Sequence, residues 1–290
     1  LLRCSLQAFL GGKSGSLPSP MHGWMSELSQ SRPTPKGRKF STRLIRKGAL
    51  LEDTHRVFLE WDIAKPFEEN LNRARELNTP GADNQSWLKE VVATISSRWR
   101  HEPQLPAIVL LAKRASISVW RPCVLWHIGR VDELYYRFAT EWLFDEYEAG
   151  AYRLRTADVL PFVEKITASR AAEKKGLSEY GLKRAGRDLL RMATDFGLLK
   201  GSAVREFNSY HLPEESFIYL LHVMYEVHGN ARDVVQSPNW RLFLMSTADV
   251  ERELFRLHQF RKLRYEVAGS LVDLTLPCIS AAAFVEEMAA

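Results

Sequence analysis

The chain has 290 residues, 46% of them hydrophobic and 26% charged, which supplies material for about two domains with ample core and excludes a disordered chain. Its net charge of +5 and pI of about 9.1 favour anionic partners without identifying one. The three cysteines, Cys4, Cys123 and Cys278, form no CxxC pair, which argues against a zinc ribbon or disulfide framework and fits a reducing cytosol. No apolar run approaches the ~20 residues needed to span a bilayer. The longest, residues 217–227, contains His222 and Glu226 and reads as a core helix.

Residues 1–38, rich in Gly, Ser and Pro, read as a flexible basic leader, with Met21 or Met25 as a candidate start. Gly12-Lys13-Ser14 mimics the end of a phosphate loop, but Gln7 stands where the motif needs its first glycine. Between residues 32 and 47 there are seven cations and no acid: Arg32, Lys36, Arg38, Lys39, Arg43, Arg46 and Lys47. Such an arm can lie along phosphates, with Lys39, Arg43, Arg46 and Lys47 as candidate contacts. A solubilising, flexible N-terminus is the competing reading.

From Leu50 the pattern is helical. Leu51, Val57, Phe58 and Trp61 suit a first helix, and Phe67, Leu71, Ala74 and Leu77 a second, which Asn78-Thr79-Pro80-Gly81 ends. Trp87, Val91, Val92, Ile95 and Trp99 suit a third, and residues 107–112 a compact apolar fourth after Pro106. Residues 116–128 and 132–147 continue the pattern, with Gly129 and Gly150 as breaks. This predicts a bundle of roughly six helices over residues 39–150, with Trp61, Trp87, Trp99, Trp120, Trp126 and Trp142 in its core.

After Gly150, residues 156–166 predict a helix, residues 168–175 a short helix, and Gly176 a turn. The next helix, residues 178–196, dominates this half. Leu182, Ala185, Leu189, Ala193 and Phe196 fall on one face, and Lys183, Arg184, Arg187 and Arg191 on the opposite one. Ser178 is its expected N-cap and Gly197 its C-cap. A strand or hairpin follows within residues 198–212. Helix, short helix, turn, basic helix and ribbon is the order of a winged helix-turn-helix, in which the basic helix contacts DNA. Tyr180, in its first turn, is the candidate for close approach to the groove. A surface helix with a solvated basic face is the plain alternative.

Residues 214–227 predict a further helix, and Trp240, Leu242 and Phe243 a packing segment. Residues 249–260 are amphipathic, with Val250, Leu254 and Leu257 inside. Residues 263–276 alternate around Ala268-Gly269-Ser270 and predict a β-hairpin. Arg261, Lys262 and Arg264 flank this second helix-plus-hairpin as further candidate nucleic-acid contacts.

No HExxH, GxSxG or complete phosphate loop is present, and the histidines show no paired metal spacing. No catalytic residue, cofactor or metal is therefore expected.

Three runs near the C-terminus carry a family resemblance. Ser237-Pro238-Asn239-Trp240-Arg241-Leu242-Phe243-Leu244, then Asp249-Val250, then Leu263-Arg264-Tyr265-Glu266-Val267-Ala268-Gly269-Ser270-Leu271-Val272 resemble the C-terminal signature of the BrxA proteins of BREX bacteriophage-exclusion systems. Residues 42–54 and Phe196-Gly197-Leu198-Leu199 resemble the same family, so the likeness runs from about residue 40 to the end. It implies a mainly α protein. A NusB-like helical bundle (residues 39–150) would be joined to a winged-helix domain with short β-hairpins (residues 151–290). It also implies a non-catalytic, DNA-binding accessory role alongside other BREX proteins. The expected partner is double-stranded DNA and the expected location the cytoplasm, with no membrane association. RNA binding or scaffolding through the NusB-like domain is the alternative.

Overall fold

The computed structural model describes residues 38, 40–168 and 177–288. Lys39, the leader to residue 37, all of the expected short helix (residues 168–175) beyond Ala168, and the turn at Gly176 lie outside the described residues. The fold is mainly helical, with two small antiparallel sheets.

The first half comprises a short α1 (Thr42–Arg46), α2 (Leu51–Leu59), α3 (Phe67–Glu76), α4 (Gln85–Trp99), α5 (Leu105–Arg114) and α6 (Ile117–Val131). α7 (Glu133–Arg137) then runs through a π-helical stretch, Phe138–Leu143, into α8 (Phe144–Glu148). Among the described residues no strand precedes Leu154, as the periodicity predicts. Aromatic rings fill this half: Phe58 meets Trp61, Trp99 and Trp120 edge-on at centroid separations of 5.7, 5.1 and 6.1 Å.

One expectation and one competing reading fail here. Gly129 does not break the chain; it is buried inside α6, which continues to Val131. A Cβ there would meet Leu242 Cδ1 at 3.0 Å, so glycine serves close packing rather than termination. The basic arm is also not a solvated tail from Thr42 onward. Thr42–Arg46 is helical, capped by Ser41, and buries Leu44 and Ile45.

Beyond Gly150 come α9 (Thr156–Ala168) and α10 (Glu179–Asp195), which pack against each other. Strand β1 (Leu199–Gly201) pairs with β2 (Arg205–Phe207), and Leu154 bridges to Arg205 on the other side. Then follow α11 (Glu214–His228), α12 (Ala231–Val235), a 3-10 turn (Pro238–Phe243), α13 (Thr247–Gln259), the hairpin β3 (Arg264–Ala268) and β4 (Leu271–Thr275), and α14 (Ala281–Glu287). α11 packs on α6, where Ser216 Oγ donates to Val119 O at 2.7 Å. α14 packs on α5, where Arg114 Nη1 donates to Glu286 O at 2.7 Å. Buried apolar residues on both sides of Gly150 therefore belong to one cluster.

Candidate nucleic-acid interface

α10 is built as its sequence predicts. Ser178 Oγ accepts from Gly181 N at 3.2 Å. At the other end Gly197 adopts φ +80°, its N–H reaches Thr194 O at 2.9 Å, and the Leu198 N–H reaches Ala193 O at 2.9 Å. These are the two bonds of a Schellman cap. Ala185, Leu189, Ala193 and Phe196 are buried, with Leu182 packed at the margin. Lys183 and Arg187 are exposed, and Arg184 and Arg191 half-buried. Tyr180 is 70% exposed at the first turn.

The acids on this helix sort its cations. Lys183 Nζ pairs with Glu179 Oε1 at 2.6 Å. Asp188 lies between two arginines, with Arg184 Nε at 3.8 Å and Arg191 Nη2 at 3.6 Å from its carboxylate oxygens. Burial raises the Asp188 pKa, against the pull of Arg191, Arg187, Arg184 and Arg46. Arg187 makes no ion pair among the described residues.

The structure brings the arm to this helix. α1 packs on α10. Arg191 Nη2 donates to Arg46 O at 2.7 Å, and Asp195 Oδ2 accepts from Ala49 N at 3.1 Å. Lys47 has its pKa lowered by burial and then by Arg46, Arg43 and Arg184, each of which lies in range of its ammonium. Arg43 and Arg46 are exposed and make no ion pair among the described residues. Lys47 is engaged elsewhere, with its ammonium paired to Glu90 and 5.3 Å from the Trp87 ring centroid. The outward cations are thus Arg43, Arg46, Arg187, Arg184 and Lys183.

Arg98 of α4 completes the arrangement, and reading the sequence residue by residue misses it. It is only 4% exposed. Its Nη1 donates to Ala49 O at 2.9 Å, and its Nη2 to Gly48 O at 2.7 Å and Leu44 O at 3.2 Å. Burial lowers its pKa to about 10, while Asp132 and Asp195 favour the charged form. A signal did exist: Arg98 follows Val91 and Ile95 at i+7 and i+3, on the apolar stripe of its helix. An arginine at a core position needs acceptors, and these are the carbonyls around the end of α1.

Arg261, Lys262 and Arg264 sit apart from this cluster, at the α13–β3 junction. Lys262 pairs with Glu214 at 3.4 Å and Arg264 with Glu266 at 2.9 Å. Glu266 holds the Arg264 pKa above its usual value. Arg261 makes no ion pair among the described residues and has φ +57°.

Among the described residues no group of three or more His, Cys, Asp or Glu side chains is arranged to hold a metal, and no helix is long and apolar enough to cross a membrane. In comparisons with known proteins, the model of one family, BrxA, matches residues 38–222. That segment contains α1, Arg98 and α10; the run at residues 237–272 lies beyond it. No curated protein and no solved structure matches the chain.

Proposed function

The chain belongs to the BrxA family, and from that premise we propose that it is a non-catalytic, duplex-DNA-binding component of a BREX phage-defence system. In this reading α9, α10 and the β1–β2 hairpin form a winged helix-turn-helix, and the preceding helices form the NusB-like bundle that carries α1. One observation carries the proposal: two basic stretches about 140 residues apart in sequence, on α1 and α10, meet on one surface through Arg191 and Asp195. Outward cations there match a phosphate backbone, whose counterions they would release. Tyr180 is well exposed at the N-terminal turn, the part of a recognition helix that faces base edges.

The test is fluorescence anisotropy of a labelled duplex titrated with the full chain at roughly 50 and 200 mM salt. Log affinity should fall with log salt with a slope of about −3 to −5, as expected for four or five phosphate contacts at about −0.9 each. A slope near zero, or no binding, would return the surface to a solvated face on a scaffold. Displacement of the duplex by equimolar single-stranded RNA would favour the RNA-binding alternative.

A further inference from the structure

α1 has five residues, too few to hold a helix by local bonds alone. It stands because Leu44 and Ile45 are buried and because its exit is gripped from two directions. From α4, the Arg98 guanidinium binds the carbonyls of Leu44, Gly48 and Ala49. From α10, Asp195 takes the Ala49 N–H and Arg191 the Arg46 carbonyl. A buried cation is costly unless its hydrogen bonds are met, so removing the acceptors would leave Arg98 stranded, and removing Arg98 would leave three carbonyls in need of donors. The carbonyls it binds lie within six residues of Arg43 and three or fewer of Arg46, whose own carbonyl is held by Arg191 of α10.

We infer that Arg98 is a positioning residue for the nucleic-acid surface: it touches no ligand but clamps α1 against α10, so that Arg43 and Arg46 are presented on one surface with the α10 cations. The inference rests on the DNA-binding reading, and its test has a readout independent of that reading. In full-length protein, compare Arg98→Met, the pair Arg43→Ala/Arg46→Ala, and the triple variant that combines them.

The salt slope for duplex DNA should flatten by up to about 2 units in Arg98→Met, the share of two phosphate contacts. It should flatten by the same amount in the arginine pair, and by no more in the triple. Limited trypsin digestion should cut after Arg43 and Arg46 on the order of tenfold faster in Arg98→Met than in the wild type, with the bonds after Arg184 and Arg187 as slow as before; the opening of a local segment governs such cutting. A further fall in slope in the triple variant, or an unchanged slope in folded Arg98→Met, would overturn the positioning role. Should Arg98→Met not fold, Arg98→Lys retains the cation without the planar fork and should move both readouts the same way, more weakly. Wild-type protein that binds no duplex would sink the functional reading alone, and the trypsin comparison would then judge the clamp: equal cutting at Arg43 and Arg46 in both proteins would refute it.

Discussion

The two helix-plus-hairpin regions, α10 with β1–β2 and α13 with β3–β4, are built alike and charged differently. Ser178 caps one helix; Ser246 caps the other in a reciprocal box with Asp249. Each buries one apolar stripe, with Leu189 in α10 and Val250, Leu254 and Leu257 in α13 fully enclosed. Each hands the chain to a two-stranded antiparallel hairpin. α10 carries four basic and three acidic residues, and α13 two basic and three acidic, so neither is strongly charged alone. Neighbours make the contrast. α1 adds Arg43 and Arg46 beside α10, whereas Glu214 of α11 takes Arg256 at 2.9 Å and Lys262 at 3.4 Å beside α13. A basic surface here is a property of packing rather than of one helix's composition.

The largest expected effect sharpens the likeness. Leu189→Ala and Leu254→Ala each empty a fully buried site and should cost about 2–5 kcal/mol. Both helices contribute to one buried cluster, so urea denaturation should show one shared transition lowered by either change. Two separate transitions would mean that the regions fold independently.

The next effect separates them. Arg43→Ala/Arg46→Ala/Arg187→Ala should flatten the salt slope for duplex DNA by up to about 3 units, while Arg252→Ala/Arg261→Ala/Arg264→Ala should change it by less than about 1. Both triples should melt close to the wild type, because exposed charges, paired or not, contribute little. Equal slopes in the two triples would erase the contrast.

Asp188→Asn should act in the opposite direction, steepening the slope by up to about 1 unit as the patch loses its central negative charge. Burial raises the Asp188 pKa, so as pH falls from neutral this carboxyl takes up a proton before an ordinary one does. Wild-type affinity should therefore rise over that interval, and the asparagine variant should lack this component. The same pH response in both proteins would assign it elsewhere.

The smallest effect is Gly197→Ala, which places a Cβ at φ +80° and should lower stability by about 1 kcal/mol without altering the slope. A change in slope would show that the turn into β1 helps to set the surface.

Much of this was legible in the sequence, because it is local. The faces of α10, its two caps, the helices before Gly150 and both hairpins follow from spacing within windows of about 20 residues. The partnership of α1 with α10 is not local. Arg46 and Arg191 are 145 residues apart, and no periodicity links them. Gly129 misled for a related reason: a glycine that admits Leu242 has the same sequence signature as one that ends a helix. The faces of α10 were therefore legible residue by residue, yet the packing of α1 on α10, and the place of Arg98 beneath it, needed the fold.

The seat of α14 on α5 has a practical consequence for anyone dividing this chain. The segment that carries the family likeness stops at residue 222, in the middle of α11, with Val223 and Met224 buried just beyond it. A fragment cut there would lose Phe284, whose ring stacks on His222 at 5.4 Å, and Val285, and would open apolar surface on helices of the first half to water. Such a fragment should express as an insoluble product although it contains every residue of the proposed interface. The boundary of sequence likeness and the boundary of the folding unit are different places in this protein.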